Sequence, residues 1–340
     1  MKIRKTLFDQ INIILVIGLI ITACDNGSKN KGETTEKPAL EKTVDVPDFN
    51  SDSAYAFIET QIELGPRVPN TEAHTKAGDY FIAQLKSYGA EVVVQDFDAE
   101  TFDGTQLYLR NIIGSFFPDK QKRILLAAHW DTRPFADKDT VGQDKPIDGA
   151  NDGASGVGVL LEIARVIGSA SNTPNVGVDI ILFDGEDWGE KHGEIQKPTP
   201  DGLYSWWCLG SQYWSQNKHD KDYSAYYGIL LDMVGASGSQ FAMEGESMRY
   251  APSVMRKVWD RGNKLGYSNY FVYDEQPGIT DDHVFVNELG KIPMINIVHY
   301  DPAVGYFGDY HHSSKDNLDI IDKKTLEAVG ETVLNVLYYE

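Results

Sequence analysis

The sequence predicts an α/β fold, in which a central, mostly parallel or mixed sheet is covered by helices on both faces. Four short and nearly continuous apolar runs lead to this prediction: "RILLAAHWD", "VDIILFDGED", "YYGILLDMVG" and "KIPMINIVHYD". Strands buried on both faces have this composition, because neither face meets water. Segments with helical periodicity lie between the runs. This alternation of strands and helices is typical of the α/β class.

The elements follow one another in order along the chain. "SAYAFIETQIEL" and "TKAGDYFIAQLKSYG" are predicted to be amphipathic helices, and Gly89 marks the end of the second. "EVVVQDFDA" and "TQLYLRNIIGSF" are predicted to be strands that can pair as a hairpin through the "DG" between them. The four apolar strands follow, separated or followed by helices at Gly153–Ile167, Leu209–Gln216, Pro252–Leu265 and Asp322–Tyr338.

The N-terminal segment is predicted to be an export signal rather than part of the fold. Residues 1–23 have a basic start and then an apolar run from Ile11 to Ala23. This run is shorter than the ~20 residues that a membrane-spanning helix needs, and it has the order of a secretory signal. The following "ITAC" resembles a bacterial lipobox, in which Cys24 is lipidated and becomes the first residue of the mature protein. An ordinary secretory signal is the alternative.

Residues 24–47 are polar and are predicted to be a flexible linker, whereas residues 48–340 are predicted to form one catalytic domain. We therefore expect an exported protein, anchored by lipid to the periplasmic or cell-surface side of a bacterial membrane. With Cys24 lipidated, Cys208 has no cysteine with which to form a disulfide, and we expect it to be buried and inert. The net charge of −20 argues against a nucleic-acid partner.

Ionisable residues cluster after the apolar runs. His129, Asp131, Glu186, Asp187 and Asp232 all follow predicted strands. Ligands of α/β proteins bind beyond the carboxyl ends of the strands, so these side chains are expected to meet there. Adjacent acids such as those in "DGED" repel each other unless a positive charge neutralises them.

Zinc chemistry accounts for this acidic cluster. A catalytic zinc ion takes imidazole nitrogen and carboxylate oxygen and keeps one coordination position open. Candidate ligands from three separate segments are Asp152, Asp187 and His312. Glycines on both sides of Asp152 allow a tight turn directly before a helix. Glu186 is then left free to act as a base.

Five segments appear in the order found in a known family. "HWD", "GANDGASGVGVLLEIA", "DGED", "LLDMVG" and "HHSSKDNLD" resemble the zinc-dependent aminopeptidase family that also contains the glutaminyl cyclases. The resemblance covers about residues 50 to 340, and it implies a three-layer sandwich fold. "AAHWDTRPFAD" and "ITDDHVFVNELGKIPMINIV" are most similar to the glutaminyl cyclase branch, in its bacterial form.

The resemblance implies a role for each matched position. The zinc ligands it implies are the three candidates above, and Glu186 matches the general acid/base. Two further acids, Asp232 and Asp281, match residues that complete the cyclase site through hydrogen bonds. His312 rather than His311 fits the downstream pattern, and His311 then stands where animal cyclases carry a pocket tryptophan. Asp187 stands where most relatives have Glu.

The implied activity is a glutaminyl-peptide cyclotransferase, which converts the N-terminal Gln of peptides or proteins to pyroglutamate and releases ammonia. One zinc ion is expected for this activity. The alternative is a two-zinc aminopeptidase, in which His129 and Asp232 hold the second ion and Asp152 bridges the pair. A third hypothesis is a catalytically inactive relative that only binds its ligand. It is disfavoured, because each matched position holds a residue that can bind metal or act as the base.

Other roles are assigned from local context. Asp131 is expected to orient His129, and Arg133 to form an ion pair with Asp137. Asp282 is expected to cap a helix, and His283 to be a core histidine. Four residues are expected to line the substrate pocket: Trp207, Phe307, Tyr310 and His311.

Overall fold

The computed structural model describes residues 43–340. The predicted signal segment, the lipidation site Cys24 and most of the predicted linker lie outside the described residues. The last linker residues, from Thr43 to Pro47, have no regular secondary structure. Val44 and Val46 pack against the main core. Residues from Val44 to Glu340 form one compact unit.

Eight strands are present in residues 43–340: β1 Glu91–Glu100, β2 Gln106–Phe116, β3 Arg123–His129, β4 Gly177–Phe183, β5 Tyr227–Asp232, β6 Phe241–Glu244, β7 Phe271–Gln276 and β8 Met294–Val298. Six of them form the central sheet in the order β1-β2-β4-β3-β5-β8. The first two pairings, β1 with β2 and β2 with β4, are antiparallel. The remaining pairings are parallel. The predicted mixed α/β sheet is confirmed.

Eight helices accompany the strands: α1 Ser51–Glu63, α2 Glu72–Ser87, α3 Ala154–Ser169, α4 Leu209–Gln216, α5 Gly245–Tyr250, α6 Pro252–Lys264, α7 Asp282–Glu288 and α8 Lys323–Tyr338. A 3-10 turn spans Leu318–Ile320. Side chains cap the N-termini of α1 and α2. Asn50 accepts a hydrogen bond from the amide of Ser53, and Thr71 accepts one from the amide of His74.

Helices cover both faces of the central sheet. In β3, Leu126 and Ala128 point into the larger core cluster, which contains residues of α1, α3 and α8. Leu125 and Ala127 point the other way and pack with Trp214 of α4. Successive side chains of a strand alternate between faces, so an unbroken apolar run is what a doubly covered strand requires.

Three elements were not anticipated from the sequence. Strands β6 and β7 pair in a separate two-stranded sheet, and α5 follows β6 directly. β6 has only four residues, and β7 carries the polar sequence "FVYDEQ" with three exposed positions. Neither gives a clear periodicity. Among residues 43–340, no helix is long and apolar enough to cross a membrane.

Candidate functional site

The site lies at the carboxyl ends of the parallel strands. His129 is the last residue of β3, Asp232 is the last residue of β5, and the Glu186–Asp187 pair begins three residues after the end of β4. Asp152 lies directly before α3, next to Gly153, which has a φ of 86°. A Cβ added at Gly153 would lie 2.8 Å from the carbonyl oxygen of Asp131, so glycine is required at this turn.

Three candidate ligands from distant segments meet at this edge. The Nε2 atom of His312 lies 3.0 Å from Oδ1 of Asp187 and 3.7 Å from Oδ2 of Asp152. All three residues are buried. His312 reaches the site from the loop after β8, with a left-handed φ of 59°. The structure therefore brings together the acids and the imidazole that the sequence singled out.

The unpaired oxygens of these acids fit a metal ion. Within the described part of the chain, Oδ2 of Asp152 and both carboxylate oxygens of Asp187 are buried without a hydrogen-bond partner. Burial, followed by the positive charges nearby, lowers the pKa of His312 well below its usual value, which keeps the imidazole neutral as coordination requires. Two carboxylates and a neutral imidazole form a donor set that suits zinc.

The loop that carries Asp152 is held by residues without a predicted role. The carboxylate of Asp316 accepts hydrogen bonds from the backbone amides of Asn151, at 2.7 Å, and Asp152, at 2.9 Å. Burial, with the neighbouring charge of Asp152, raises the pKa of Asp316 to about 7. The buried Arg67 guanidinium donates to the carbonyl of Gly149 at 2.7 Å. Asp316 belongs to the "HHSSKDNLD" segment, so the sequence did contain a signal for it.

His129 lies between two acids of the site. Its Nε2 atom is 3.1 Å from Oδ1 of Asp152 and 3.3 Å from Oδ1 of Asp232. Burial alone would lower the pKa of His129, but the nearby carboxylates of Asp131, Asp152 and Asp232 raise it well above the usual value. His129, Asp152 and Asp232 have the spacing of metal ligands, as do Asp152, His311 and His312.

Asp131 mainly holds the segment that carries the candidate base. Its carboxylate accepts hydrogen bonds from the amides of Glu186, at 3.0 Å, and Asp187, at 3.1 Å. The Nδ1 atom of His129 is farther away, at 3.5 Å, and has no hydrogen-bond partner among residues 43–340. Asp131 therefore faces His129 at ion-pair distance, as expected, and it also fixes the peptide groups of the acidic pair.

Glu186 faces the cavity beside the candidate ligands. Burial raises the pKa of Glu186 well above its usual range, and repulsion from Asp187 and Asp281 adds to the rise against the attraction of His129. One carboxylate oxygen, Oε1, lies 3.2 Å from the Sγ atom of Cys208. The other, Oε2, is 4.0 Å from Nδ1 of His129. A base with a raised pKa can both accept and return a proton near neutral pH.

Asp281 forms the cap of α7 and lines the same cavity. Its Oδ1 atom accepts from the amide of Asp282 at 2.5 Å, and its Oδ2 atom accepts from Nδ2 of Asn296 at 2.6 Å. The expectation that Asp282 is the cap is wrong, because the helix begins at that residue and Asp281 supplies the capping oxygen. Asn296 lies on the buried strand β8 and was not recognised as a site residue from the sequence.

The cavity has a volume of about 390 Å³. Trp207, Phe307 and His311 line it as predicted, together with Tyr306 and the segment Gly278–Thr280. Tyr310 is not among its lining residues, so that expectation is corrected. The Tyr310 hydroxyl turns away from the cavity to Nδ1 of His299, at 2.7 Å.

Aromatic rings form the wall beside His312. Trp207 is parallel to the His312 ring, with centroids 5.7 Å apart and an interplanar angle of 3°. His311 stacks on His312 from another side at 3.6 Å and meets Phe307 edge-on at 4.6 Å. Lys138 contacts Nδ1 of His311 through its ammonium group. His311 thus supplies a flat ring in the wall.

The predicted Arg133–Asp137 pair is present, with Nη2 of Arg133 2.5 Å from Oδ2 of Asp137. Arg133 also donates to the carbonyl oxygens of Asp187 and Glu190, at 3.0 Å each, and its guanidinium lies 4.7 Å from the Trp207 ring. The pair is therefore more than a local ion pair. It holds the loop after β4 beneath the pocket wall.

Glu244, a fully buried carboxylate, holds another part of the cavity wall. It accepts hydrogen bonds from the amides of Glu246, Ser247 and Ile279 at 2.7 to 2.9 Å. It also contacts Nε2 of His283 at 3.0 Å, so His283 is a buried structural histidine as expected. Glu244 thereby ties the cavity segment around Ile279 to α7.

We expect Glu244→Gln to lower the free energy of unfolding by about 3 kcal/mol. The NH₂ group of the new side chain would replace a carboxylate oxygen that accepts hydrogen bonds, and it would face backbone N–H groups that also donate. Urea unfolding at pH 7 measures this. Glu246→Gln, at a partly exposed pair with Arg249, is the control and should change stability by less than about 1 kcal/mol. Equal stability of Glu244→Gln and the wild type would contradict the assigned role.

The same carboxylate gives a pH dependence. Burial alone would raise the pKa of Glu244, but hydrogen bonding and the charge of His283 lower it from 4.5 to about 2 in the folded protein. The stabilisation that ionised Glu244 provides is therefore fully present above its pKa in the unfolded chain. It is lost as the pH falls toward its lower pKa in the folded protein. The stability difference between the wild type and Glu244→Gln should shrink over that range.

Comparison with known protein families gives one match that spans most of the described chain. Residues 111–337 match the model of peptidase family M28. The aminopeptidase YwaD of Bacillus subtilis is 26% identical over 243 residues, which are 67% of this chain and 44% of that protein. The chain thus spans less than half the length of that relative. The glutaminyl-peptide cyclotransferase of Drosophila melanogaster is 23% identical, over 78% of this chain and 74% of the relative.

Solved structures give higher identities. The glutaminyl cyclase of Bacteroides thetaiotaomicron, solved with N-acetylhistamine bound, is 48% identical, with a TM-score of 0.83. The match covers 87% of this chain and 100% of that one. A Zn-dependent exopeptidase from Parabacteroides distasonis is 49% identical, with a TM-score of 0.82, and the match covers 86% and 99% of the two chains.

Proposed function

The chain belongs to peptidase family M28, and from this premise we propose that it is a zinc-dependent glutaminyl-peptide cyclotransferase that acts on peptides or proteins with an N-terminal Gln. The observation that carries the proposal is the match, at 48% identity and over the whole length of the other chain, to a solved glutaminyl cyclase. The position of Glu186, which faces the cavity beside the candidate ligands rather than among them, supports the same reaction.

The residues present fit one zinc ion, which Asp152, Asp187 and His312 would hold. When bound, zinc draws electron density from a carbonyl group as a Lewis acid. Glu186 accepts a proton from the α-amine of the substrate as this amine attacks the side-chain carbonyl carbon. It then gives the proton to the departing ammonia. The bond from amine nitrogen to carbon forms, the bond from carbon to amide nitrogen breaks, and pyroglutamate results.

The other cavity residues position the substrate. Asp281 is fixed by Asp282 and Asn296, and Asp232 by His129, so both acids hold defined places beside Glu186. Trp207, Phe307 and His311 enclose the side chain of the terminal Gln. Because the reaction is intramolecular, confining the substrate in a folded conformation supplies much of the acceleration.

One observation favours a second candidate, a two-zinc aminopeptidase. Among the described residues, His129, Asp152 and Asp232 have the spacing of metal ligands, and Asp152 is also one of the three candidate ligands of the first ion. We favour one ion, because His129 already pairs with the two acids. An inactive binding relative is disfavoured, since every candidate ligand position holds a competent side chain.

We expect purified protein to cyclise a Gln-initiated dipeptide with release of ammonia and to leave a leucine amide intact. The reason is that Glu186 accepts a proton from the α-amine of the substrate, which is itself the nucleophile, so the reaction needs no nucleophilic water. A coupled ammonia assay and a chromogenic leucine amide measure the two activities on the same preparation. Rapid release of leucine with no ammonia from the Gln peptide would instead assign the aminopeptidase reaction.

We also propose that residues 1–23 direct export and that Cys24 carries the lipid that tethers the domain to a membrane. The basic start, the apolar run and "ITAC" support this proposal. In a bacterial host, the wild type is expected in the membrane fraction and Cys24→Ser in the soluble fraction. Equal partitioning of the two would indicate an ordinary secretory signal.

A further inference from the structure

The first turn of α4 is tied directly to the segment that carries the candidate base. The amide of Cys208 donates to the carbonyl oxygen of Glu186 at 2.9 Å, and the amide of Leu209 donates to that of Gly185 at 3.0 Å. Cys208 is completely buried. These two backbone hydrogen bonds place its side chain beside that of Glu186.

The thiol contacts the base itself. Sγ of Cys208 lies 3.2 Å from Oε1 of Glu186, within hydrogen-bonding distance for sulfur. Burial and the neighbouring carboxylate of Glu186 raise the pKa of the thiol well above its usual range, so it stays protonated and can donate. In the part of the chain that the structure describes, no other hydrogen bond reaches this carboxylate within 3.5 Å.

The backbone at Cys208 is an independent sign that the side chain matters. Its φ of 59° and ψ of 39° are left-handed, a conformation that costs energy for any residue with a Cβ. Glycine would adopt it freely, and strained non-glycine residues cluster at functional sites. The carbonyl oxygen of Cys208 is also held, by Ser211 and by the amide of Gln212.

The same turn of α4 sets the pocket wall. The Nε2 atom of Gln212 donates to the carbonyl oxygens of Trp207, at 2.7 Å, and Ser205, at 2.9 Å. Trp207 and Glu186 are therefore positioned from one element, one through its backbone and the other through a neighbouring thiol.

We propose that Cys208 is a positioning residue that holds the Glu186 carboxylate by donating a hydrogen bond to Oε1, which leaves Oε2 to exchange the proton with the substrate. The inference rests on the proposed function, in which Glu186 is the base. Cys208 does not touch the substrate. It is buried, as the sequence predicted, and its raised pKa agrees with the expected lack of reactivity, since the role proposed here is only to donate a hydrogen bond.

The test compares Cys208→Ala, Cys208→Ser and the wild type by steady-state kinetics on a Gln dipeptide. Losing the hydrogen bond from the thiol to the Glu186 carboxylate should lower kcat about tenfold in Cys208→Ala, with KM and zinc content unchanged. Cys208→Ser keeps a donor and should stay within about threefold of the wild-type kcat. Ser215→Ala removes a buried hydroxyl of the same helix that has no hydrogen-bond partner in the described part of the chain, and it should behave as the wild type.

Wild-type kcat in Cys208→Ala would overturn the inference, as would equal losses in the alanine and serine variants. If Cys208→Ala did not fold, Cys208→Gly would remove the same thiol while favouring the left-handed backbone, and the same fall in kcat is expected. A wild-type protein that does not cyclise Gln peptides would refute the proposed function itself, so the two failures are distinguishable.

Discussion

Replacing Glu186 by Gln is expected to lower kcat by about a thousandfold while leaving bound zinc and the fold unchanged. The amide has nearly the same shape as the carboxylate but cannot accept the amine proton. Glu186 faces the cavity and contacts Cys208, and its backbone amide is held by Asp131, so the substitution keeps these backbone contacts. The steady-state rate of ammonia release measures kcat, and metal analysis of the purified variant measures the bound zinc.

The matched control is Glu194→Gln, an exposed acid in the loop after β4 that is not among the cavity-lining residues. It should keep the wild-type rate. If Glu186→Gln lost its zinc, Glu186 would be a ligand, and the roles of the two adjacent acids would have to be exchanged.

Replacing Asp187 by Asn is expected to remove the zinc and, with it, essentially all activity. Both oxygens of Asp187 are buried without a hydrogen-bond donor among residues 43–340, and Oδ1 lies 3.0 Å from the imidazole of His312. The neutral amide supplies no charge for the cation, and affinity should fall at least about a hundredfold. Zinc content after dialysis, and the cyclisation rate with added zinc, give the two readouts.

Asp187→Glu is the control, because it keeps the negative charge and both carboxylate oxygens. It should retain zinc and a measurable rate. Full zinc occupancy in Asp187→Asn would show that this residue is not a ligand.

The position of the site could be predicted because it depends on strand ends. β3, β4 and β5 are apolar on both faces, so the first polar residues after them had to emerge together at one edge of the sheet. The turn at Asp152 could also be predicted, since Gly153 has no space for a side chain.

Side-chain directions in the loops could not be predicted in this way. Tyr306 and Tyr310 lie four residues apart in one irregular segment, yet only Tyr306 lines the cavity. The backbone is left-handed at His312 and Cys208, which changes the direction of the chain at both residues. Neither histidine nor cysteine predicts that conformation. The role of Asn296 depends on which strand lies beside Asp281, and the local sequence does not show which elements are neighbours in the fold.

The most direct test is anomalous diffraction at the zinc edge from crystals of the zinc-loaded protein. We predict one anomalous peak, about 2.0–2.2 Å from a carboxylate oxygen of Asp152, a carboxylate oxygen of Asp187 and Nε2 of His312, with Glu186 outside bonding distance. A peak bonded to Glu186, or no peak shared by those three residues, would contradict the proposed site. A second peak between His129 and Asp232 would contradict the single-ion assignment.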